Sequence, residues 1–149
     1  MTISNSFSIS SSALTAQRLR MDVISSNIAN AETTRARIEN GQAVPYRRKT
    51  VVMAPKEADF GSALSSALEG GFNGQGVKIT KIQEDSAPFK PVYNPTHPDA
   101  NSEGYVYMPN VDILKEMVDM ISATRSYEAN VTVLNASKAM ITKALQIGK

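Results

Sequence analysis

A seven-residue repeat of apolar side chains near the C-terminus limits what this chain can fold into. The repeat begins just after Pro109-Asn110, and its members are Ile113, Met120, Tyr127, Leu134 and Ile141. This spacing places them on one side of a helix, as in the seam of a coiled coil. The stripe is widened by Met117, Val131 and Leu145, and the positions beside it are mostly small, at Ala123, Asn130, Ser137 and Ala144. We therefore predict a helix that packs against another helix.

This helix is longer than a compact chain of the same size can cover. At about 1.5 Å per residue, a helix from Val111 to Ile147 is roughly 55 Å long. A compact globule of 149 residues has a diameter of roughly 40 Å. The apolar stripe therefore needs partners that the chain cannot supply alone.

The flanking residues predict where this helix begins and ends. Asn110 is well placed to cap the N-terminus, and Asp112 and Glu116 lie near the positive end of the helix dipole. Lys138 and Lys143 lie towards the other end, and Gly148 is predicted to close the helix. Arg125 and Glu128 are three residues apart and are expected to form a weak ion pair.

The composition excludes several classes of function. The formal net charge is +2, so no overall charge calls for a nucleic acid or an acidic membrane. The absence of cysteine excludes disulfides, thiolate metal sites and a cysteine nucleophile. No apolar run reaches the ~20 residues of a membrane span, and the first residues lack the basic and apolar regions of a Sec signal peptide. We expect a chain that is cytoplasmic or is exported without a cleaved signal.

The N-terminal segment carries a second seven-residue repeat on a nearly uncharged background. Residues 1–31 contain three charged side chains, and the repeat consists of Phe7, Leu14, Met21 and Ile28, with Ile24 and Ala31 beside it. We predict a helix from about Ala13 to Ala31, because residues 7–10 alternate as in a strand. Its outer face is rich in Ser, Thr, Gln and Asn, which lose less solvation than charges do when another protein covers them. An ordinary solvated amphipathic helix remains the alternative.

The middle of the chain has a different character. All seven Pro residues and all but one of the eight Gly residues lie between Glu32 and Pro109. Four short runs there predict strands, at 49–53, 77–82, 89–93 and 105–108, and residues 70–76 predict a glycine-rich loop or hairpin. The predicted fold is α+β, with long N- and C-terminal helices pairing as a coiled coil around a small β-rich inserted region. The predicted segments are 1–34, 35–109 and 110–149.

Candidate catalytic and binding residues are few. His97 is the only histidine, and its spacing from Asp99 matches no zinc or catalytic template, so a proline-bounded loop explains it better. The glycines at 70–76 match neither phosphate-binding pattern. Arg47, Arg48 and Lys49 could bind phosphates, but a solvated or protein-facing surface is the favoured interpretation. We assign no catalytic residue, no cofactor and no metal.

Specific residues at both ends carry a resemblance. Between Ser12 and Thr34 the sequence contains DVISSNIANAETT, with the key residues Asp22, Asn27, Ile28, Ala29, Asn30, Ala31 and Thr33. Near the C-terminus the corresponding residues are Asn110 to Asp112, Glu116, Met117, Met120 and Arg125 to Asn130. Both signatures resemble those of bacterial flagellar rod and hook proteins. The short length and residues 97–112 are similar to the proximal-rod members of that family, whereas residues 35–44 look like an altered loop.

The resemblance implies a structural subunit of the proximal rod, which transmits torque from the rotor to the hook. It implies location in the basal body, across the periplasm, after type III export without a cleaved signal. The implied partners are other rod subunits (FlgB, FlgF and FlgG), the rod–rotor-ring adaptor FliE, further copies of the chain and the export apparatus. No nucleic acid and no stable membrane insertion are expected.

The resemblance and the two repeats together predict an assembly interface made of the terminal helices. Its residues are Leu14, Met21, Ile24, Asn27, Ile28, Asn30, Ile113, Met117, Met120, Arg125, Tyr127, Asn130, Val131, Leu134 and Ile141. A cytoplasmic coiled-coil adaptor, with the β-rich region as its binding module, is the alternative function. An enzyme is the least favoured, because no acid–base pair is associated with a cleft.

Overall fold

Two long helices flank a set of short strands in the computed structural model, which describes residues 3–39, 42–57, 61, 64, 68 and 74–147. Helix α1 spans Ile3–Ala29, and helix α2 spans Ile113–Ile147. The strands lie between them along the chain. The predicted α+β fold, with terminal helices and an inserted β-rich region, is therefore confirmed.

Six described strands form three two-stranded sheets. Strands β1 (Arg37–Glu39) and β2 (Gln42–Val44) pair antiparallel, as do β5 (Lys90–Tyr93) and β6 (Tyr105–Met108). Strand β3 (Lys49–Pro55) pairs with β4 (Val77–Glu84). All four predicted strands are present. The prediction of a loop at 35–44 is wrong, because Arg37 and Val44 are paired and the Ala36 N–H donates to the Val44 carbonyl at 2.9 Å.

Contacts between Cα atoms divide the chain into two compact units. The first unit consists of Met1–Leu19, Val52–Lys81 and Ala123–Lys149, and the second of Arg20–Val51 and Ile82–Ser122. Each unit therefore includes residues from both helices. The three sequence segments 1–34, 35–109 and 110–149 stay a prediction.

Helix α1 begins about ten residues earlier than predicted, and residues 7–10 are helical rather than extended. Contacts within the first unit explain this difference. The Ser12 hydroxyl accepts a hydrogen bond from the Val77 N–H at 3.1 Å, and the Asn5 side-chain amide donates to the Gly74 carbonyl at 3.2 Å. A side chain at residue 76 would overlap the Ser12 hydroxyl, so glycine is needed for this approach. Of the predicted loop at 70–76, residues 70–73 lie outside the described residues.

The N-cap of α2 is Asp112 rather than Asn110. The Asp112 carboxylate accepts hydrogen bonds from the N–H groups of Leu114 and Lys115, at 3.1 and 3.4 Å. Asn110 instead accepts from the Arg48 N–H at 2.8 Å and donates to the Ala87 carbonyl at 3.1 Å. Its side chain therefore joins the start of α2 to the inserted region. The predicted closing residue, Gly148, lies outside the described residues.

The buried core is small. Its apolar members among the described residues are Ala16, Val23, Ile24, Tyr46, Val106, Val111 and Ala123. On α2 the most buried positions, Glu116, Ala123 and Ser137, lie on the small and polar line beside the predicted apolar stripe. Of the five residues in the seven-residue repeat on α2, four are half-buried, and Ile113 is exposed. Small side chains at this line let a second helix approach closely, while the larger ones pack at its edges.

Gly104 is the position where the β5–β6 hairpin most depends on glycine. Its φ is +81°, and an added Cβ would lie 3.0 Å from the Tyr93 ring. We expect Gly104→Ala to lower the free energy of unfolding by about 1–3 kcal/mol, through backbone strain. Urea denaturation measures this, with Glu103→Ala at the adjacent exposed position as the control. Equal stability of the two variants would contradict the assignment.

Candidate functional site: a buried polar network and an exposed apolar face

The side chain of Asn27 is buried in the second unit and uses all of its hydrogen-bonding capacity. Its amide nitrogen donates to the Lys49 carbonyl at 2.8 Å and to the Glu116 carboxylate at 2.9 Å. Its oxygen accepts from the Lys49 N–H at 2.9 Å and from the Tyr46 hydroxyl at 3.0 Å. An amide can donate two hydrogen bonds and accept two, so no other side chain of this size could replace it. Asn27 therefore joins α1, β3 and α2.

Glu116 is the second centre of this network and is 0% exposed. One carboxylate oxygen accepts from Asn27, and the other accepts from the Arg48 Nε at 2.6 Å. A buried carboxylate is costly unless charge and hydrogen bonds compensate it, and here both are supplied. We call Asn27, Tyr46, Arg48 and Glu116 the Asn27 network.

Two aspartates extend the network towards solvent. The Arg48 guanidinium is 3.4 Å from Asp85 and 3.7 Å from Asp119, and Asp119 is also 3.2 Å from the Arg20 guanidinium. Burial alone would lower the pKa of Arg48, but the hydrogen bonds and charges of Glu116 and Asp85 raise it overall. Arg48 thus stays positively charged within the second unit.

The basic residues at 47–49 make contacts within the chain, although the sequence favoured a solvated or protein-facing surface; Arg47 and Arg48 are half-buried, and Lys49 is exposed. The Arg47 guanidinium lies 4.5 Å from the centre of the Phe89 ring and donates to the Asp85 carbonyl at 3.1 Å. The Lys49 ammonium lies 5.7 Å from the centre of the Tyr46 ring. Together with the ion pairs of Arg48, these contacts occupy all three side chains.

The loop from 94 to 104 is held by turns, as the sequence predicted for residues 94–99. The Asn101 side chain accepts from the N–H groups of Glu103 and Tyr105, and the Asp99 N–H donates to His97 Nδ1 at 3.1 Å. Asp99 in turn accepts from the Arg35 guanidinium and from the Thr34 hydroxyl. Within the part of the chain that the structure describes, no group of three His, Asp or Glu side chains could hold a metal ion.

The predicted interface residues fall into three groups in the single chain. Ile24 and Asn27 are buried, and Ile113, Met117 and Arg125 are exposed. The half-buried residues are Leu14, Met21, Ile28, Asn30, Met120, Tyr127, Asn130, Val131, Leu134 and Ile141. Asn30 lies at the end of α1, where its side chain donates to the Ser26 carbonyl at 2.9 Å, and Arg125 forms the expected ion pair with Glu128 at 3.0 Å. Their role as an interface between chains stays a prediction.

Large apolar side chains also cover the side of α2 that faces away from Glu116. In the second unit, Leu114, Val118 and Ile121 are 76%, 67% and 61% exposed. At 100° per residue they lie on the helix face opposite to Glu116. They form an adjacent set of large apolar side chains that the single chain leaves exposed to solvent.

Comparisons with known proteins identify the family. A family model described as "Flagella basal body rod protein" matches residues 7–37, and one described as "Flagellar basal body rod FlgEFG protein C-terminal" matches residues 102–147. The flagellar basal-body rod protein FlgC of Bacillus subtilis is 61% identical over the whole of both chains. The chain belongs to the FlgC family. Proteins of the same name from Borreliella burgdorferi (99% of this chain and 98% of the relative) and Escherichia coli (100% of both) are 47% and 45% identical.

Membership of the FlgC family confirms the function expected from the sequence. The chain is a structural subunit of the bacterial flagellar rod and a component of the basal body, and the cytoplasmic adaptor is not favoured. It associates with other components of the flagellar basal body. None of the helices in the described residues is both long enough and apolar enough to span a membrane.

The sequence alone did not indicate the part that three residues play in the Asn27 network. Glu116 was assigned as a carboxylate that favours the start of a helix and Arg48 as part of a surface patch, and Tyr46 was assigned no role. The contacts of Glu116 with Arg48 and with Asn27 join residues 68 and 89 positions apart along the chain. The one available signal was the occurrence of Asn27 and Glu116 in the two terminal signatures.

We expect Glu116→Ala to lower the free energy of unfolding by about 3–5 kcal/mol, because it leaves the charge of Arg48 buried without its closest partner. Denaturation in urea, followed by circular dichroism, measures the loss. Glu128→Ala removes an exposed carboxylate from the same helix and should cost about 0–1 kcal/mol. Similar losses in the free energy of unfolding in both variants would show that the buried ion pair stabilises the chain no more than an exposed carboxylate does.

Stability should also depend on pH through Asp85. A hydrogen bond from the Ala87 N–H holds the pKa of Asp85 below its ordinary value of 3.8, against burial and with further help from Arg48. The ionised Asp85 carboxylate therefore stabilises the folded chain fully above pH 3.8, and this stabilisation is lost as the pH falls through the lower, folded-state pKa. We expect Asp85→Asn to flatten the fall in melting temperature below about pH 4. If the melting temperature of Asp85→Asn fell with pH as steeply as that of the unsubstituted chain, the prediction would be wrong.

Proposed function

We propose that this chain polymerises in the proximal part of the rod through its terminal helices. The observation that carries the proposal is the set of apolar side chains that the single chain leaves exposed on α2, above all Leu114, Val118 and Ile121. Contacts of one face with a different face of the next subunit extend along an axis instead of closing into a pair. Such a lattice of helices is stiff, as a shaft that transmits torque must be.

The half-buried stripe on α2 supports a second role for the same helix. Met120, Tyr127, Leu134 and Ile141 are partly covered in the single chain. The remaining surface of these side chains is available to helices of neighbouring subunits. We infer that the predicted interface residues are shared in this way, with the inserted strands making lateral contacts.

The proposed neighbours are further copies of the chain, the rod subunits FlgB, FlgF and FlgG, and the adaptor FliE. The chain would reach them through the flagellar type III export apparatus, without a cleaved signal. Residues 7–37 match a rod-protein family model and residues 3–29 form α1. This supports the proposed place among rod subunits, because the matched residues include most of α1.

The proposal predicts that Val118→Asp prevents incorporation into the rod. Val118 is 67% exposed, so the charge should change the stability of the single chain by less than about 0.5 kcal/mol. In an assembled lattice the same carboxylate would be buried without a partner, at a cost of several kcal/mol. The measurement compares motility and the amount of chain in purified basal bodies.

The matched control is Thr142→Asp, which adds the same charge at an exposed polar position of α2 that lies off the face of Leu114, Val118 and Ile121. We expect this variant to assemble. The amount of each variant that leaves the cell should equal that of the unsubstituted chain, since export does not use the folded surface. Normal motility with Val118→Asp would exclude this face as an interface.

A further inference from the structure

The apolar residues between α1 and α2 do not by themselves select a single axial alignment of the two helices. The repeats on both helices have a period of seven, from Phe7 to Ile28 and from Ile113 to Ile141. A shift of one helix by seven residues therefore places each apolar side chain where an equivalent one stood. The small line on α2 is similarly repetitive, at Ala123, Asn130 and Ser137. Repetitive seams need a buried polar residue to select one register.

We propose that the Asn27 network fixes the register in which α1 pairs with α2. The helices run antiparallel in the second unit, since Asn27 contacts Glu116 while the earlier residue Arg20 contacts the later residue Asp119. Glu116 occupies the position on α2 that Ala123 and Ser137 occupy one and three heptads later. It is the acidic member of that line, and it lies opposite Asn27.

Each shifted register separates the same charges. A shift of seven residues in one direction brings Ala123 opposite Asn27, so Arg48 loses the carboxylate that now lies 2.6 Å from its Nε. A shift in the other direction brings Glu116 towards Arg20, and Arg48 again loses its partner. The Arg48 side chain is 16% exposed and that of Glu116 is 1% exposed. Loss of the closest partner of a charge at this depth penalises both shifts strongly.

This role differs from general stabilisation. Replacing a whole buried ion pair by apolar side chains of similar volume is often neutral for stability, because the charges recover little more than their lost hydration. What such a replacement removes is the penalty on the shifted registers. Stability and register are therefore separable in one experiment.

The experiment uses the double variant Arg48→Met/Glu116→Leu of the full chain, in dilute solution. The chain has no cysteine, so spin labels can be placed at Glu32→Cys, just after α1, and Ile121→Cys on α2, both at exposed positions of the second unit. Pulsed electron spin resonance then gives the distribution of distances between the labels. In the register set by Asn27 and Glu116 the two labels are offset along the helices by roughly ten residues, or roughly 15 Å, so a shift of seven residues lengthens or shortens this offset by roughly 10 Å and gives a separate, resolvable distance.

We expect one distance in the labelled chain with the intact network, and an additional distance in the double variant with unchanged helical circular dichroism. A single unchanged distance in the folded double variant would overturn the proposal. Loss of the helical signal would also overturn it, since the network would then carry the fold itself. The control replaces an exposed ion pair, Lys78→Gln/Glu57→Gln, and should keep one distance. An additional distance in this control would overturn the specificity claimed for the network. The measurement requires no rod assembly, so its result is independent of the proposed function.

Discussion

The buried contact between Arg48 and Glu116 is the interaction on which the second unit depends. It brings the charge of Arg48, which immediately precedes β3, against a charge from the first turn of α2, and Asn27 of α1 bonds the carboxylate and the neighbouring Lys49 backbone. A carboxylate that is 0% exposed is tolerable only with such partners. The position of each helix in this unit is thus tied to the position of the inserted chain between them.

The apolar interior formed by the described residues is small. Its buried apolar residues are few, and among them alanine and valine outnumber larger side chains. Meanwhile Leu114, Val118 and Ile121 are left in solvent. A protein that worked alone would have its large side chains inside. The proposed assembly would cover these exposed side chains, and the polar contacts of the Asn27 network hold the second unit together in the single chain.

The sequence predicted the helices, the four longer strands and the family, because those features are local or are read from signatures. Heptad spacing was sufficient for α2, and alternating short runs were sufficient for β3 to β6. The N-terminal part of α1 was missed because Phe7 to Ser10 alternates locally, while contacts from residues 74–77 favour the helix. The network was missed for the same kind of reason, since no local pattern links Asn27, Arg48 and Glu116. Asn110 was given the cap because its distant partner, the Arg48 N–H, was not visible in sequence.

The separation of 89 residues between Asn27 and Glu116 has a kinetic consequence. Closing so long a loop costs conformational entropy before the contact can form. Folds with such long-range contacts therefore form more slowly than folds with mainly local contacts. The central contact of the second unit also waits for the last third of the chain to be present. Under the proposed export route this delay would be useful, because the segments that emerge first would lack the residues needed to complete the second unit. The most distant contact in the network thus makes completion of the second unit depend on the C-terminal third of the chain.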